Sequence, residues 1–141
     1  MLPQTILIID DDNDISSLML QYLQTEGYDN VERASNGLEG FEKYKALSPD
    51  FVFMDIEMPV MDGYESCCAI KAFDPEAKIL VITGNPNDIR AQRVLKEDMA
   101  FALLKKPCKL KELGSIILET QHIPDADPLY AENRILSINT R

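Results

Sequence analysis

Four short apolar runs in this chain each end on polar residues that could do chemistry. Ile6-Leu7-Ile8-Ile9 runs into Asp10, Asp11 and Asp12. Phe51-Val52-Phe53-Met54 runs into Asp55. Lys78-Ile79-Leu80-Val81-Ile82 runs into Thr83, and Phe101-Ala102-Leu103-Leu104 into Lys105, Lys106 and Pro107. Such runs read as buried strands, and in open parallel sheets ligands bind at the carboxyl edge. Carboxylates, a hydroxyl and an amine converging there suit a divalent cation and a phosphoryl group. If the strands before Asp10 and Asp55 are neighbours, Asp10, Asp11 and Asp55 meet. Two unit charges 4 Å apart repel by about 4 kcal/mol at an effective dielectric near 20. Such a cluster needs a cation or raised pKa values. Oxygen ligands favour Mg²⁺, Mn²⁺ or Ca²⁺ over zinc.

Taken singly, these residues have plainer readings. Asp12 reads as the cap of the first helix. Thr83 alone would be a β-branched strand residue, and Lys106 alone a solvated lysine. The convergence of four strand ends outweighs those readings. A cation and a hydroxyl beside a metal-bound carboxylate can hold the oxygens of a phosphoryl group. Lys106-Pro107 suits a tight turn after a strand, with a cis bond accessible to it. The spacing of Asp10, Asp12 and Asp14 imitates an EF-hand. That reading fails because Ile15 stands where Gly is needed and Gln21 where Glu is needed.

The elements that must position these groups alternate. Strands are expected over residues 6–9, 28–33, 51–54, 79–82 and 100–104. Helical spacing follows each: Ile15, Leu18, Met19, Tyr22 and Leu23; then Phe41 and Tyr44 behind an Asn36/Glu39 capping pair; then Tyr64, Cys67 and Cys68 behind an Asp62/Glu65 pair. The fourth helix is expected to start at an Asn85 cap with Pro86 in its first turn. It is thinly apolar, with Ile89, Val94 and Leu95. Leu110, Leu113 and Ile117 mark the last. Five βα units predict a parallel sheet with helices on both faces and right-handed crossovers. Residues 1–120 form the expected domain, and 121–141 a C-terminal tail. In the tail, Asp127-Pro128 reads as a helix cap and first turn. Leu129, Tyr130, Ile135, Leu136 and Ile138 are apolar, so it is expected to dock near the last two helices.

At 141 residues the chain can bury about 70% of its unfolded surface without staples. Lys plus Arg number 14 against 24 Asp plus Glu, a net charge of −10. That opposes binding to nucleic acid or to anionic membranes. The three cysteines show neither a disulfide framework nor metal-ligand spacing, which suits a reducing compartment. The segment before Ile6 is not basic and its apolar run is four residues long. A signal peptide or membrane span is not expected, and the expected location is cytoplasmic.

Over about residues 5–120 the chain resembles the receiver domain of two-component response regulators. The resemblance rests on Asp10-Asp11 after the first strand, on Met54-Asp55-Ile56-Glu57-Met58-Pro59-Val60-Met61-Asp62-Gly63, on Thr83 after the fourth strand and on Lys106-Pro107 after the fifth. It implies a flavodoxin-like, doubly wound five-stranded parallel sheet of order 2-1-3-4-5, a common order of which a member of this family is an example. It implies that Asp55 is the phosphoacceptor and that Asp11 and Asp55 ligate Mg²⁺. Glu57 would give the metal a backbone carbonyl, and Asp10 would reach it through water. Lys106 would bind a phosphoryl oxygen and Thr83 would move toward it. The implied partners are a sensor histidine kinase or a histidine phosphotransfer protein, and a downstream protein target. The implied state is a monomer or weak homodimer.

Two positions depart from the family's habit. After the switch Thr the family mostly has Ala; Gly84 leaves the phosphoryl site more open. Three residues before the Lys the family often has Tyr or Phe, whose rotamer reports phosphorylation; here it is Leu103. Switching is expected to run through the helix after Asn85 instead. A DNA-binding output domain, which many members of the family carry, is not expected in these 141 residues. The leading expectation is a single-domain signalling switch and not a turnover enzyme; the same motifs would suit a receiver domain cut from a longer regulator. An Asp-nucleophile phosphohydrolase of the haloacid dehalogenase type would use Asp10-x-Asp12, but Asp14 stands where it needs a hydroxyl. A flavin carrier on the same fold would need a hydroxyl- and glycine-rich loop where the acids at 10–12 and 14 would repel its phosphate.

Overall fold

Continuous apolar runs have no wet face, so they form strands only where both sides of the sheet are covered. The computed structural model describes residues 5–120 and 135–136. Its strands are β1 (Thr5–Ile9), β2 (Asn30–Ala34), β3 (Phe51–Asp55), β4 (Ile79–Thr83), β5 (Ala102–Lys105) and β6 (Ile135–Leu136). The helices are α1 (Asn13–Thr25), α2 (Gly37–Leu47), α3 (Gly63–Phe73), α4 (Ile89–Lys96) and α5 (Leu110–Thr120). All strands pair in parallel, in the order β2-β1-β3-β4-β5-β6. The order 2-1-3-4-5 expected from the sequence holds. Ile135–Leu136 adds a two-residue strand beside Leu103 and Leu104. The helix start expected at Asp127-Pro128 lies outside the described residues, as does the rest of the tail.

Side chains alternate across each strand and so feed two cores. Leu7, Ile9, Val52, Met54, Val81 and Leu103 face α2, α3 and α4, meeting Tyr44, Cys67, Ile70, Ala91 and Val94. Ile6, Ile8, Phe51, Phe53, Leu80 and Leu104 face α1 and α5, meeting Met19, Leu23, Leu113 and Ile117. Each such side chain contributes about 1.5–3 kcal/mol on burial. β3 and β4, at the centre of the sheet, are buried at every residue. Among the described residues no helix is long and apolar enough to cross a membrane.

Three local expectations are corrected. First, α4 starts three residues late. Asn85 gives its N–H to Thr83 Oγ1 at 3.1 Å and opens a turn closed by Asp88 N–H on Asn85 O. Asp88 then caps the helix by accepting the Arg90 N–H at 2.8 Å. Ile89, expected to anchor α4, is 74% exposed. Secondly, α1 is rotated from the expected face. Ser16, Met19 and Leu23 are buried, while Ile15 and Leu18 are exposed. Ser16 tolerates burial because its hydroxyl meets Asn13 O and Arg33 Nη1, the latter at 3.2 Å. Thirdly, Asn36 caps α2, but Glu39 reaches back to Ser35 rather than closing a box. The Asp62/Glu65 box on α3 does close in both directions.

The turn from β3 into α3 leaves no room at Gly63. Its N–H donates to Ile56 O at 2.8 Å. A Cβ there would collide with the Asp55 carbonyl oxygen and lie 2.7 Å from Ile56 Cα. A Cβ at Gly114, inside α5, would meet only the Tyr22 side chain, its hydroxyl oxygen at 3.6 Å and a ring carbon at 3.8 Å. Gly63→Ala is therefore expected to lower the unfolding free energy by about 1–3 kcal/mol. Gly114→Ala is expected to raise it by about 0.5–1 kcal/mol, because Ala suits a helix interior better. Urea denaturation of both variants checks the pair; equal shifts in the same direction would contradict this account.

Candidate functional site

Register decides what meets at the carboxyl edge. Ile9 pairs with Met54, so Asp10 follows one strand where Asp55 ends the next. Asp55 pairs with Ile82, and Thr83 with Lys105. Lys106 is tied back by its N–H to Thr83 O at 2.8 Å, and the Lys106–Pro107 peptide is cis. A cavity of about 310 Å³ opens there, lined by Asp10, Asp11, Asp12, Asp55, Ile56, Glu57, Thr83, Gly84, Asn85, Asp88 and Lys106.

Asp10, Asp11 and Asp55 each present an oxygen, all within 4.8 Å of one another. Asp10 and Asp55 are buried and Asp11 is exposed. Asp10 Oδ1 accepts the Asp12 N–H at 2.9 Å, and its Oδ2 accepts from Lys106 Nζ at 3.1 Å. Asp55 Oδ1 accepts the Ile56 N–H at 2.9 Å and lies 3.5 Å from Lys106 Nζ. Lys106 thus bridges the ends of β1 and β3. One ammonium does not balance three carboxylates. Burial first, then the Asp10 charge, push the Asp55 carboxyl up to about 7, against the pull of Lys106 and the Ile56 N–H; Asp11 adds to the push. Burial pulls the Lys106 ammonium down, but Asp55 and Asp10 outweigh it and its pKa is raised. An all-oxygen, partly buried donor set that repels itself fits a hard divalent cation.

The remaining expected residues divide. Thr83 is buried with its Oγ1 at the cavity, accepting from Asn85 N–H. Gly84 lines the cavity, and a Cβ there would meet nothing within 4 Å. Glu57 lines it too, with its side chain turned to Arg90, Oε1 to Nη2 3.6 Å. Asp12 caps α1, accepting from Asp14 and Ile15. Leu103 is apart from this group: it is fully buried in the core shared with α4 and does not line the cavity. Sequence reasoning missed Asn85, Asp88 and Arg90 at this edge. An arginine in the first turn of a helix, where the dipole disfavours a cation, was the available signal for Arg90.

A family model described as the response regulator receiver domain matches residues 6–118. The chain belongs to that family. It is 43% identical over 84 residues to the chemotaxis protein CheY of Treponema pallidum, covering 58% of this chain and 58% of that protein. It is 35% identical over 91 residues to CheY of Halobacterium salinarum, covering 64% of this chain and 75% of that protein. The match thus spans less than two thirds of the Treponema relative's length. Among solved structures, a CheX–CheY–BeF3–Mg²⁺ complex from Borrelia burgdorferi superposes with a TM-score of 0.77 at 26% identity. That similarity covers 87% of this chain and 92% of that one.

The receiver domain's Asp55 makes stability depend on pH. Its folded pKa near 7 lies above the ordinary 3.8. Between those values the folded state holds a proton that the unfolded state has lost, so stability falls as pH rises through this window. In EDTA, the wild type is expected to lose up to about 3 kcal/mol of unfolding free energy from pH 5 to pH 8 through this group. Asp55→Asn lacks the carboxyl and should show a flatter profile. Urea midpoints at the two pH values check this; parallel profiles would refute it.

Proposed function

We propose that Asp55 accepts a phosphoryl group from the phosphohistidine of a sensor kinase or a phosphotransfer protein. The observation that carries the proposal is the Lys106 bridge between Asp10 and Asp55, set among three mutually close carboxylates. An Asp55 oxygen attacks phosphorus, the P–N bond breaks, and the imidazole leaves with the bond's electron pair. Nucleophile and donor are both anionic, so charge neutralisation is the main task. Mg²⁺, or Mn²⁺, held by Asp11 and Asp55 with Asp10 and the Glu57 carbonyl nearby, would supply Lewis-acid neutralisation of the phosphoryl oxygens. Lys106, already between the two buried acids, is placed to turn onto a phosphoryl oxygen. Thr83 Oγ1 accepts from Asn85, which leaves its O–H to donate.

Leu103 has no ring to swing, so the response is assigned to α4. That helix has eight residues and three buried anchors, Ala91, Val94 and Leu95. Thr83 reaches its leading turn through Asn85, which couples a shift of the hydroxyl to the start of the helix. The Borrelia CheY is seen with a protein partner, CheX, and this supports a protein target here. The dehalogenase reading loses its second carboxylate, since Asp12 is engaged as a helix cap.

With Mg²⁺ and acetyl phosphate, intact mass is expected to rise by one phosphoryl group, and Asp55→Asn or EDTA to abolish the rise. Labelling that persists in Asp55→Asn would sink the assignment. Lys106→Ala is expected to slow labelling at least about tenfold while Mg²⁺ still binds, as loss of one charge-stabilising donor does. Thr83→Ala should still label, but should lose the change in α4 hydrogen exchange that beryllofluoride induces in the wild type. Wild-type behaviour of both variants would remove Lys106 and Thr83 from the scheme.

A further inference from the structure

Arg90 stands in the first turn of α4, where the helix dipole disfavours a cation. Three carboxylates from three segments hold it there. Its Nε and Nη2 fork onto Asp88 at 3.1 and 2.9 Å. Nη1 reaches Asp62 Oδ2 at 3.4 Å, and Nη2 lies 3.6 Å from Glu57 Oε1. Asp88 caps α4, Asp62 caps α3, and Glu57 lies in the loop after β3. Two of the three, Glu57 and Asp88, also line the cavity. Six acids line that cavity against the single amine of Lys106, and Lys106 is engaged by Asp10 and Asp55. The charge that offsets Glu57 and Asp88 is Arg90, at the rim.

We infer that Arg90 is a positioning residue for phosphoryl entry: it holds the Glu57 carboxylate out at the rim and neutralises it together with Asp88, so that a dianionic donor can approach Asp55. This rests on Asp55 as phosphoacceptor. The Glu57 side chain is 86% exposed, and among the described residues its ion pair is with Arg90. Without the guanidinium it is free to turn toward the cavity mouth and face the donor. The two ligands of the cavity then respond with opposite signs. An anion enters less readily, while a divalent cation binds more tightly. A variant that merely loosened the fold would weaken both.

The test uses the full chain as wild type, Arg90→Ala and Glu57→Gln/Arg90→Ala. Mg²⁺ affinity is measured by calorimetry, and labelling by acetyl phosphate is followed by intact mass at saturating Mg²⁺. In Arg90→Ala the half-saturating acetyl phosphate concentration is expected to rise about two- to fivefold, the size of one unit charge acting through a water-exposed rim. The maximal rate should hold and the Mg²⁺ Kd should fall by a similar factor. Both differences should collapse near 1 M salt, where the screening length is about 3 Å. Adding Glu57→Gln should recover most of the loss in donor affinity, because the carboxylate that Arg90 restrained is gone. The inference is overturned if Arg90→Ala matches the wild type, if donor and Mg²⁺ binding both weaken, or if the double variant is no better than Arg90→Ala. Labelling of Asp55→Asn at the wild-type rate would overturn the phosphoacceptor reading instead, and the Mg²⁺ measurement would then decide the charge role of Arg90 alone.

Discussion

The repulsion among Asp10, Asp11 and Asp55 is the constraint around which the rest of this edge is arranged. Left to themselves, three carboxylates with oxygens within 4.8 Å would move apart. They cannot, because β1 and β3 are hydrogen-bonded neighbours whose side chains are buried on both faces. Their apolar burial is worth more than the repulsion costs. The sheet therefore holds the acids in a high-energy arrangement, and Lys106 relieves it only in part. The raised Asp55 carboxyl records what is left over. A site in that condition gains from any cation that enters it.

The helices around the edge differ in how firmly they are held. α2 and α3 are tied near the site by buried contacts: Ser66 Oγ donates to Gly37 O at 2.9 Å, and Gly37 N–H to Met61 O at 2.9 Å. The Asp62/Glu65 capping box seals the start of α3. α4 is held differently. Its far end meets α3 through Glu97, which accepts from Tyr64 Oη and Arg93 Nε, both at 2.8 Å, with Arg93 over the Tyr64 ring. These groups sit in water, where ion pairs contribute little. Its near end is the Arg90 cluster. A helix with few apolar anchors and polar ties at both ends can shift at small cost, whereas α3 cannot. On the proposed function, that contrast is the reason the response to Asp55 is assigned to α4.

By itself the sequence determined the strands, their order of function along the chain, and the polar residue at each strand end. Those are local properties: an apolar run of four or five residues is a strand wherever it is covered, and its last residue falls at the sheet edge. The Asp62/Glu65 box was legible for the same reason, since both partners lie within one turn. Tertiary structure decided the rest. Asn85 has the local signature of a cap, but the Thr83 hydroxyl takes its N–H, and α4 waits until Asp88. Ser16 replaces Leu18 on the buried face of α1 because Arg33, seventeen residues on, satisfies its hydroxyl. The raised Asp55 carboxyl needs the burial of β3 and the charge of Asp10, neither of which spacing reports. Arg90 was the least legible of all. Its three partners lie at 57, 62 and 88, and only the packing of two helix starts against one loop brings them around a single guanidinium.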